Sequence, residues 1–435
     1  MTARRVIGGR TLGPNTLFDK SALQSFNRYE ALWFDNFYTA IVCPLFFVET
    51  LADLSKEVAE GRTPEQVVGN IAYKTPEMGP FVVAAHWNLR LANLLGYPIE
   101  MEGRPPVAGG FGTQLAGESA TVYDLPPEMG AFERWQRGDF LGVERDFAQQ
   151  WRSALSSMDL TSVYPIFRRL GGGKTKPRNL EEARQWAEQM VHGHGRRYTT
   201  LKVAMEMLAI PPSQRPRILQ RWKQAAGAPL DEFAPYAAYN LMVDLFFYLS
   251  LEAGLISSQR PSNRVDVAYL YYLPFCLIFT SGDRLHQRIT PFFLRKDQAF
   301  LWAPELKEDL GRLDAHYDAL PESVKAQGVM RFAQRPPAED DYLTTKLWDQ
   351  FLPKWREPHR PASDRAKAKA QALAKALSDQ ERPRKTAGQL VKSGPHDPVA
   401  FERHVHARKG KWQVIPPEVV KTGEPVRPVR SQRSH

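Results

Sequence analysis

The segment Gly13-Pro14-Asn15-Thr16-Leu17-Phe18-Asp19-Lys20-Ser21 reads as a turn, a short apolar strand and an acid at the strand's end. Gly-Pro-Asn punctuates the chain, and three residues suited to a buried, pleated surface follow. Residues 29–38 then place Trp33, Phe34, Phe37 and Tyr38 at helical spacing. Ala40-Ile41-Val42-Cys43 reads as a second buried strand stopped by Pro44. Residues 45–59 follow as a helix, with Leu45, Val48, Leu51, Ala52 and Ser55 on one stripe. Strand alternating with helix is the pattern of a parallel sheet covered by helices.

The same pattern returns far down the chain. A helix from Asp231 to Leu255 is apolar almost all round and therefore buried. A short helix over 266–273, a strand over 276–280 and a turn at Ser281-Gly282-Asp283 come next. Short strands over 292–294 and 300–302 and a helix over 305–317 complete the set. The expected fold is α/β, a small parallel sheet flanked by helices and assembled from residues 14–60 and 231–320. A mainly helical insertion, 61–230, interrupts it. Residues 321–359 extend the core, and 360–435 form a basic, disordered tail.

Composition agrees with a folded body. Of 435 residues, 43% are hydrophobic and 11% aromatic, enough to build a core and to exclude a wholly disordered chain. The longest apolar runs, 40–48 and 269–280, are too short to span a bilayer, so no membrane partner is expected. Residues 1–14 are basic and Gly-rich without an apolar centre, unlike a secretory signal. Cys43 and Cys276 sit in apolar runs and read as buried thiols of a reducing, cytoplasmic setting. Two cysteines also exclude a zinc site built on several of them. Charge is uneven. Residues 360–435 hold 17 Lys and Arg against 7 Asp and Glu, a net of +10. That equals the net charge of the whole chain, so residues 1–359 balance at zero.

Four acids stand out by context: Asp19 after a strand, Glu49 on the helix after the next strand, Asp266 opening a short helix, and Asp283 just past the following strand. In an open parallel sheet the carboxyl ends of the strands converge on one edge. Clustered carboxylates repel one another and persist where hard cations neutralise them; oxygen ligands suit Mg²⁺ or Mn²⁺. Such ions activate water and stabilise charge on a phosphodiester. Each acid also has a plainer reading: Asp19 and Asp266 as helix caps, Glu49 on a solvated face, Asp283 in a turn with Gly282. Asp53 reads as a salt-bridging residue one turn from Glu49, and Asp244 as a buried, paired acid. Gly171-Gly172-Gly173-Lys174-Thr175 lacks the first glycine of a phosphate loop, Arg168 standing there instead.

The pieces Leu17-Phe18-Asp19-Lys20-Ser21, Cys43-Pro44-Leu45-Phe46-Phe47-Val48-Glu49, Asp266-Val267-Ala268 and Phe279-Thr280-Ser281-Gly282-Asp283 together resemble the PIN-like nuclease family. The resemblance covers about a quarter of the chain. It implies that Asp19, Glu49, Asp266 and Asp283 hold Mg²⁺ or Mn²⁺ for phosphodiester hydrolysis, with RNA favoured over DNA. It places Ser21, Thr280 and Ser281 at the family's hydroxyl positions. Arg284 and His286 are further candidates for substrate contact, packing being the plainer role for His286. The alternatives are a catalytically inactive nucleic-acid-binding or interaction protein on the same fold, and a small-molecule phosphoesterase. The tail reads as an arm for nucleic acid, without sequence preference.

Overall fold

The computed structural model describes residues 2–7, 13–56, 61–78, 81–107, 110–115, 118–123, 127–170, 175–193, 195–357 and 401–417. The strands within 2–7, 110–123 and 401–404 are described by their backbone alone. Five parallel strands form the central sheet: β1 (Asn15–Phe18), β2 (Thr39–Val42), β3 (Phe81–Val82), β4 (Ile278–Ser281) and β5 (Ala299–Trp302). Their spatial order is β3-β2-β1-β4-β5. The chain therefore steps outward from β1 in one direction, then returns and steps outward in the other. That reversal lies between β1 and β4, which pair through Leu17 and Phe279.

Gly13 makes the entry to β1 possible, because a Cβ there would stand 1.8 Å from the Phe37 carbonyl oxygen. Asp19 caps α1 (Lys20–Ser25), and Asn27 opens α2 (Arg28–Phe37) with a capping box to Glu30. Pro44 starts α3 (Pro44–Ala52), where its missing N–H costs little. The expected elements at 16–18, 29–38, 40–43 and 305–317 are present within a residue or two. The helix expected over 231–255 breaks at Ala234, before Pro235, into Leu230–Phe233 and Pro235–Glu252. The strand expected over 292–294 is absent: Phe292 ends a 3₁₀ turn, Thr290–Phe292, and Phe293 and Leu294 belong to no strand.

Two expected boundaries move. The third strand of the sheet, β3, falls inside the segment expected to be an insertion, and α4 (Pro64–Lys74) lies on the path to it. Two apolar residues at Phe81–Val82 are too few to carry a strand signal. The insertion proper is mainly helical, with an antiparallel ribbon at Gly110–Leu115 and Glu118–Tyr123. It docks on the sheet's helices: Phe132 meets Phe46 at 5.7 Å between ring centres, and Trp135 stacks on Phe47 at 4.9 Å.

The second move concerns the tail. Residues 401–417, expected to be disordered, are built into the body as a strap. Strand Phe401–His406 pairs antiparallel with Thr2–Ile7. A tight turn at Gly410, with φ of +60°, then joins Arg408–Lys409 to Trp412–Gln413. Trp412 packs edge-on to Trp33 at 5.1 Å, and both indole N–H groups donate to Asp314, at 2.7 and 2.9 Å. Lys409 lies buried with its ammonium 3.5 Å from Glu77 and 4.0 Å from Asp35, and His406 adds a 2.9 Å contact to Glu77. Besides its strand pairing and the buried Val405, Val414 and Ile415, the strap is held by one buried indole and one buried ammonium. The composition of the whole tail, dominated by charge and proline, hides both. The remainder of the tail and the glycine loop at 171–174 lie outside the described residues.

Candidate functional site

The carboxyl end of β1 delivers Asp19, and the carboxyl end of β4 delivers Ser281 and then Asp283. These two strand ends flank the reversal in strand order, the crevice where open α/β sheets bind ligands. Asp19 is buried and fully engaged. One oxygen accepts from Ser21 Oγ at 2.8 Å and the Ala22 N–H at 2.8 Å. The other accepts from Ser21 Oγ at 2.7 Å and Ser281 Oγ at 2.7 Å. It also faces His286 Nδ1 at 3.3 Å. The Gly282 N–H closes the circuit by donating to Ser21 Oγ at 2.9 Å.

The charge on His286 follows from its neighbours. Its Nε2 lies 2.7 Å from the Asp266 carbonyl, which can only accept, so Nε2 carries a proton. Ser281 gives its own proton to Asp19, so at 2.8 Å its oxygen accepts from Nδ1. The ring is an imidazolium. Burial opposes that charge, but the hydrogen bond and charge of Asp19 overcome it and raise the His286 pKa to about 9. Burial likewise works against the Asp19 carboxylate, and His286 outweighs it, so the Asp19 pKa ends below its ordinary value.

Asp266 rides on the short helix Asn263–Ala268. Its carboxylate takes no hydrogen bond among the described residues. Burial lifts its pKa to about 7; His286 opposes the rise, and the charges of Glu49, Asp283 and Asp19 add to it. Glu49, on α3, accepts from the buried Tyr269 hydroxyl, and burial raises its pKa against the pull of Lys20. Asp283 caps the helix Arg284–Ile289 through the Leu285 N–H at 2.6 Å. Its own N–H donates to Ser281 Oγ at 2.9 Å.

Asp266 therefore feels the charges of the other three predicted acids; of the plainer readings, the helix cap holds for Asp19, whereas Asp266 lies inside its helix and Asp283, read as a turn residue, caps one. Direct substrate contact by Thr280, Ser281 and His286 is corrected by burial: all three residues are fully buried. Ser281 and His286 face inward to fix Asp19, and Thr280 Oγ1 has no hydrogen-bond partner in the described structure. Ser21 is likewise turned to Asp19. Arg284, by contrast, is exposed and free of ion pairs among the described residues, which leaves it able to meet a phosphate. Asp53 is salt-bridged to Lys20 at 2.9 Å and Lys56 at 2.6 Å, and Asp244 is buried and paired, as expected of both.

The residues that sequence reasoning missed are Tyr269, which sits three past Asp266, and Lys20, whose ammonium reaches Asp53 and, at 3.2 Å, the Glu49 carbonyl. Helical spacing from Asp266 could have drawn attention to Tyr269. As donors, four carboxylates suit a hard divalent cation. As placed, no group of three or more His, Cys, Asp or Glu side chains among the described residues is gathered to hold one. Among the described residues no helix is long and apolar enough to cross a membrane, and both cysteines are free and buried. Set against known proteins, the chain matches no family model, and no curated protein or solved structure shows significant similarity to it.

Proposed function

We propose that the protein is a Mg²⁺- or Mn²⁺-dependent nuclease of PIN-like type, acting on RNA in preference to DNA, in the cytoplasm. One observation carries the reading: Asp19 and Asp283 stand at the two strand ends that flank the strand-order reversal, and their charges and that of Glu49 all reach Asp266, whose carboxylate takes no hydrogen bond among the described residues. Burial, opposed by His286 and aided by the charges of Glu49, Asp283 and Asp19, holds the Asp266 proton up to about pH 7. A divalent cation held by Asp19, Glu49, Asp266 and Asp283 would supply charge neutralisation and an activated water for in-line attack on phosphorus.

The chain's own groups have distinct parts in this reading. Asp266, whose carboxylate takes no hydrogen bond among the described residues, is left free to face the cation or the attacking water. Ser21, Ser281 and His286 fix the orientation of Asp19, and Tyr269 fixes Glu49. Arg284 offers a cation at the rim for a substrate phosphate. Asp283→Asn should abolish metal-dependent cleavage of single-stranded RNA while leaving the melting temperature near that of the wild type. Full activity in that variant at matched purity would sink the assignment.

A second reading is favoured by the saturation of Asp19. Both of its oxygens are filled by protein donors, and His286 already supplies a positive charge. A chain that keeps the sheet and binds nucleic acid without cutting it would look the same at this residue. RNA retained at low salt but left intact across a Mg²⁺ and Mn²⁺ series would select this second reading.

A further inference from the structure

Asp244 occupies the middle of the buried helix Pro235–Glu252, with its side chain 1% exposed. One of its oxygens takes Arg264 Nη2 at 2.8 Å and the Tyr271 hydroxyl. The Arg264 guanidinium lies over the rings of Phe247 and Tyr271, 5.8 and 5.7 Å from their centres. The arrangement is unfinished: Asp244 Oδ2 and Arg264 Nη1 are both buried without a hydrogen-bond partner in the described structure. A buried ion pair of this kind adds little net stability, because desolvation consumes most of the attraction. Its presence therefore calls for another explanation.

Both partners of Asp244 belong to one stretch, the helix Asn263–Ala268 and the 3₁₀ segment Tyr269–Phe275 that continues it. The same stretch carries Asp266 and Tyr269. It also supplies the Asp266 carbonyl that receives His286 Nε2, and its Tyr269 hydroxyl is the donor to Glu49. The helix is six residues long and has no side-chain cap at its start, so its own hydrogen bonds cannot fix its orientation. Arg264 grips Asp244 two residues before Asp266, and Tyr271 grips it two residues after Tyr269.

We propose that Asp244 is the positioning residue of the acid site, holding the Asn263–Phe275 stretch through Arg264 and Tyr271 and so setting the places of Asp266 and, by way of Tyr269, Glu49. Its relevance to catalysis rests on the nuclease reading; the positioning itself does not.

The test exploits the weakness of buried ion pairs as stabilisers. Asp244→Leu combined with Arg264→Met replaces the pair by apolar groups of similar volume, a change often neutral or stabilising for the fold. Three readouts are taken on the full chain: thermal stability, Mn²⁺ affinity by titration calorimetry, and the solvent exchange of the His286 Nε2 proton by NMR. A positioning role predicts a cooperatively folded protein, lowered in stability only by the Tyr271 hydroxyl left without its acceptor, with a faster-exchanging His286 proton and Mn²⁺ affinity lowered about 10- to 100-fold, the range for loss of groups that orient metal ligands. Tyr271→Phe, which keeps the ion pair, should move the His286 proton in the same direction by less, and serves if the double variant does not fold. Wild-type proton exchange in whichever of these variants folds overturns the proposal. A faster-exchanging proton in a protein whose wild type binds no Mn²⁺ and cuts no RNA upholds the positioning role and removes the nuclease reading instead.

Discussion

Trp412→Ala tests whether the strap 401–417 belongs to the folded body. Trp412 is 2% exposed, lies edge-on to Trp33 at 5.1 Å and 6.1 Å from Phe332, and donates to Asp314 at 2.7 Å. Truncating a buried aromatic of this size costs about 3–5 kcal/mol through lost transfer energy and the cavity left behind. The hydrogen bond adds little to that loss, because Asp314 keeps Trp33 and, at 3.0 Å, Lys411. For domains of 150–250 residues one kcal/mol moves the midpoint about 2–4 °C, and a larger body moves less. At about 2.1 cal/mol/K of unfolding entropy per residue, a chain of 435 residues moves about 1.1 °C per kcal/mol, so the expected fall is roughly 3–6 °C. The assay is thermal and urea unfolding followed by far-ultraviolet circular dichroism, with Trp87→Ala as the control. Trp87 is 46% exposed, and its loss should cost under about 1 kcal/mol. If Trp412→Ala costs no more than Trp87→Ala, the strap does not hold the body together and its docking carries no stability.

Mg²⁺ or Mn²⁺ should raise the melting temperature of the wild type and not of Asp19→Asn; an equal rise in both would mean that the ions bind elsewhere. The folded His286 pKa of about 9 lies above its ordinary value, so the pair with Asp19 contributes fully below about pH 6.5 and is lost as pH rises through 9. The stability gap between wild type and His286→Gln should shrink over that window, and a gap that widens would reverse the assigned charge. Asp266 also loses stability as pH rises, here because its charged form is the one that burial disfavours. With a folded pKa of about 7, its ionisation destabilises the fold progressively from about pH 4, so Asp266→Asn should be the more stable protein above pH 7, by urea midpoint.

The sheet was legible where strand and helix signals were strong and local. Thr16-Leu17-Phe18, Ala40 to Val42 and Ile278 to Thr280 each combine apolar or β-branched residues with a turn signal beside them. The acids were found because they stand at those strand ends. The strand Phe81–Val82 was not legible, since it exists only through its pairing with Ile41 and Val42. Ser281, His286 and Tyr269 were readable as residues but not as roles. Nothing in local sequence says that a histidine three past an acid will turn inward to a different acid 267 positions earlier. The strap failed for a related reason: Lys409 counts toward a basic tail in any composition window, yet its ammonium is consumed by Glu77 and Asp35.

That last point changes what the tail's charge means. The net of +10 divides into +5 over 360–400, +3 over 401–417 and +2 over 418–435. Within the strap, Lys409 faces Glu77 and Asp35, and Lys411 lies 3.0 Å from both Asp314 and Asp318. Those two cations neutralise the body's own acids, and a polyanion meeting the protein encounters correspondingly less of their field. The apparent division between a neutral body and a basic tail is thus partly an effect of sequence order, because some tail lysines complete acidic patches on the body. Long-range attraction for nucleic acid then falls mainly to the +5 of 360–400 and the +2 of 418–435. Removing everything after residue 359 would confound that attraction with loss of the strap. Replacing Lys and Arg by Gln within 360–400 separates the two: the strap and the acid site stay intact, while each phosphate left without its cation should flatten the salt dependence of single-strand binding by about 0.7 in the log–log slope. An unchanged slope in that variant would mean that residues 360–400 do not bind nucleic acid, and the tail's charge would lend the nuclease reading no support.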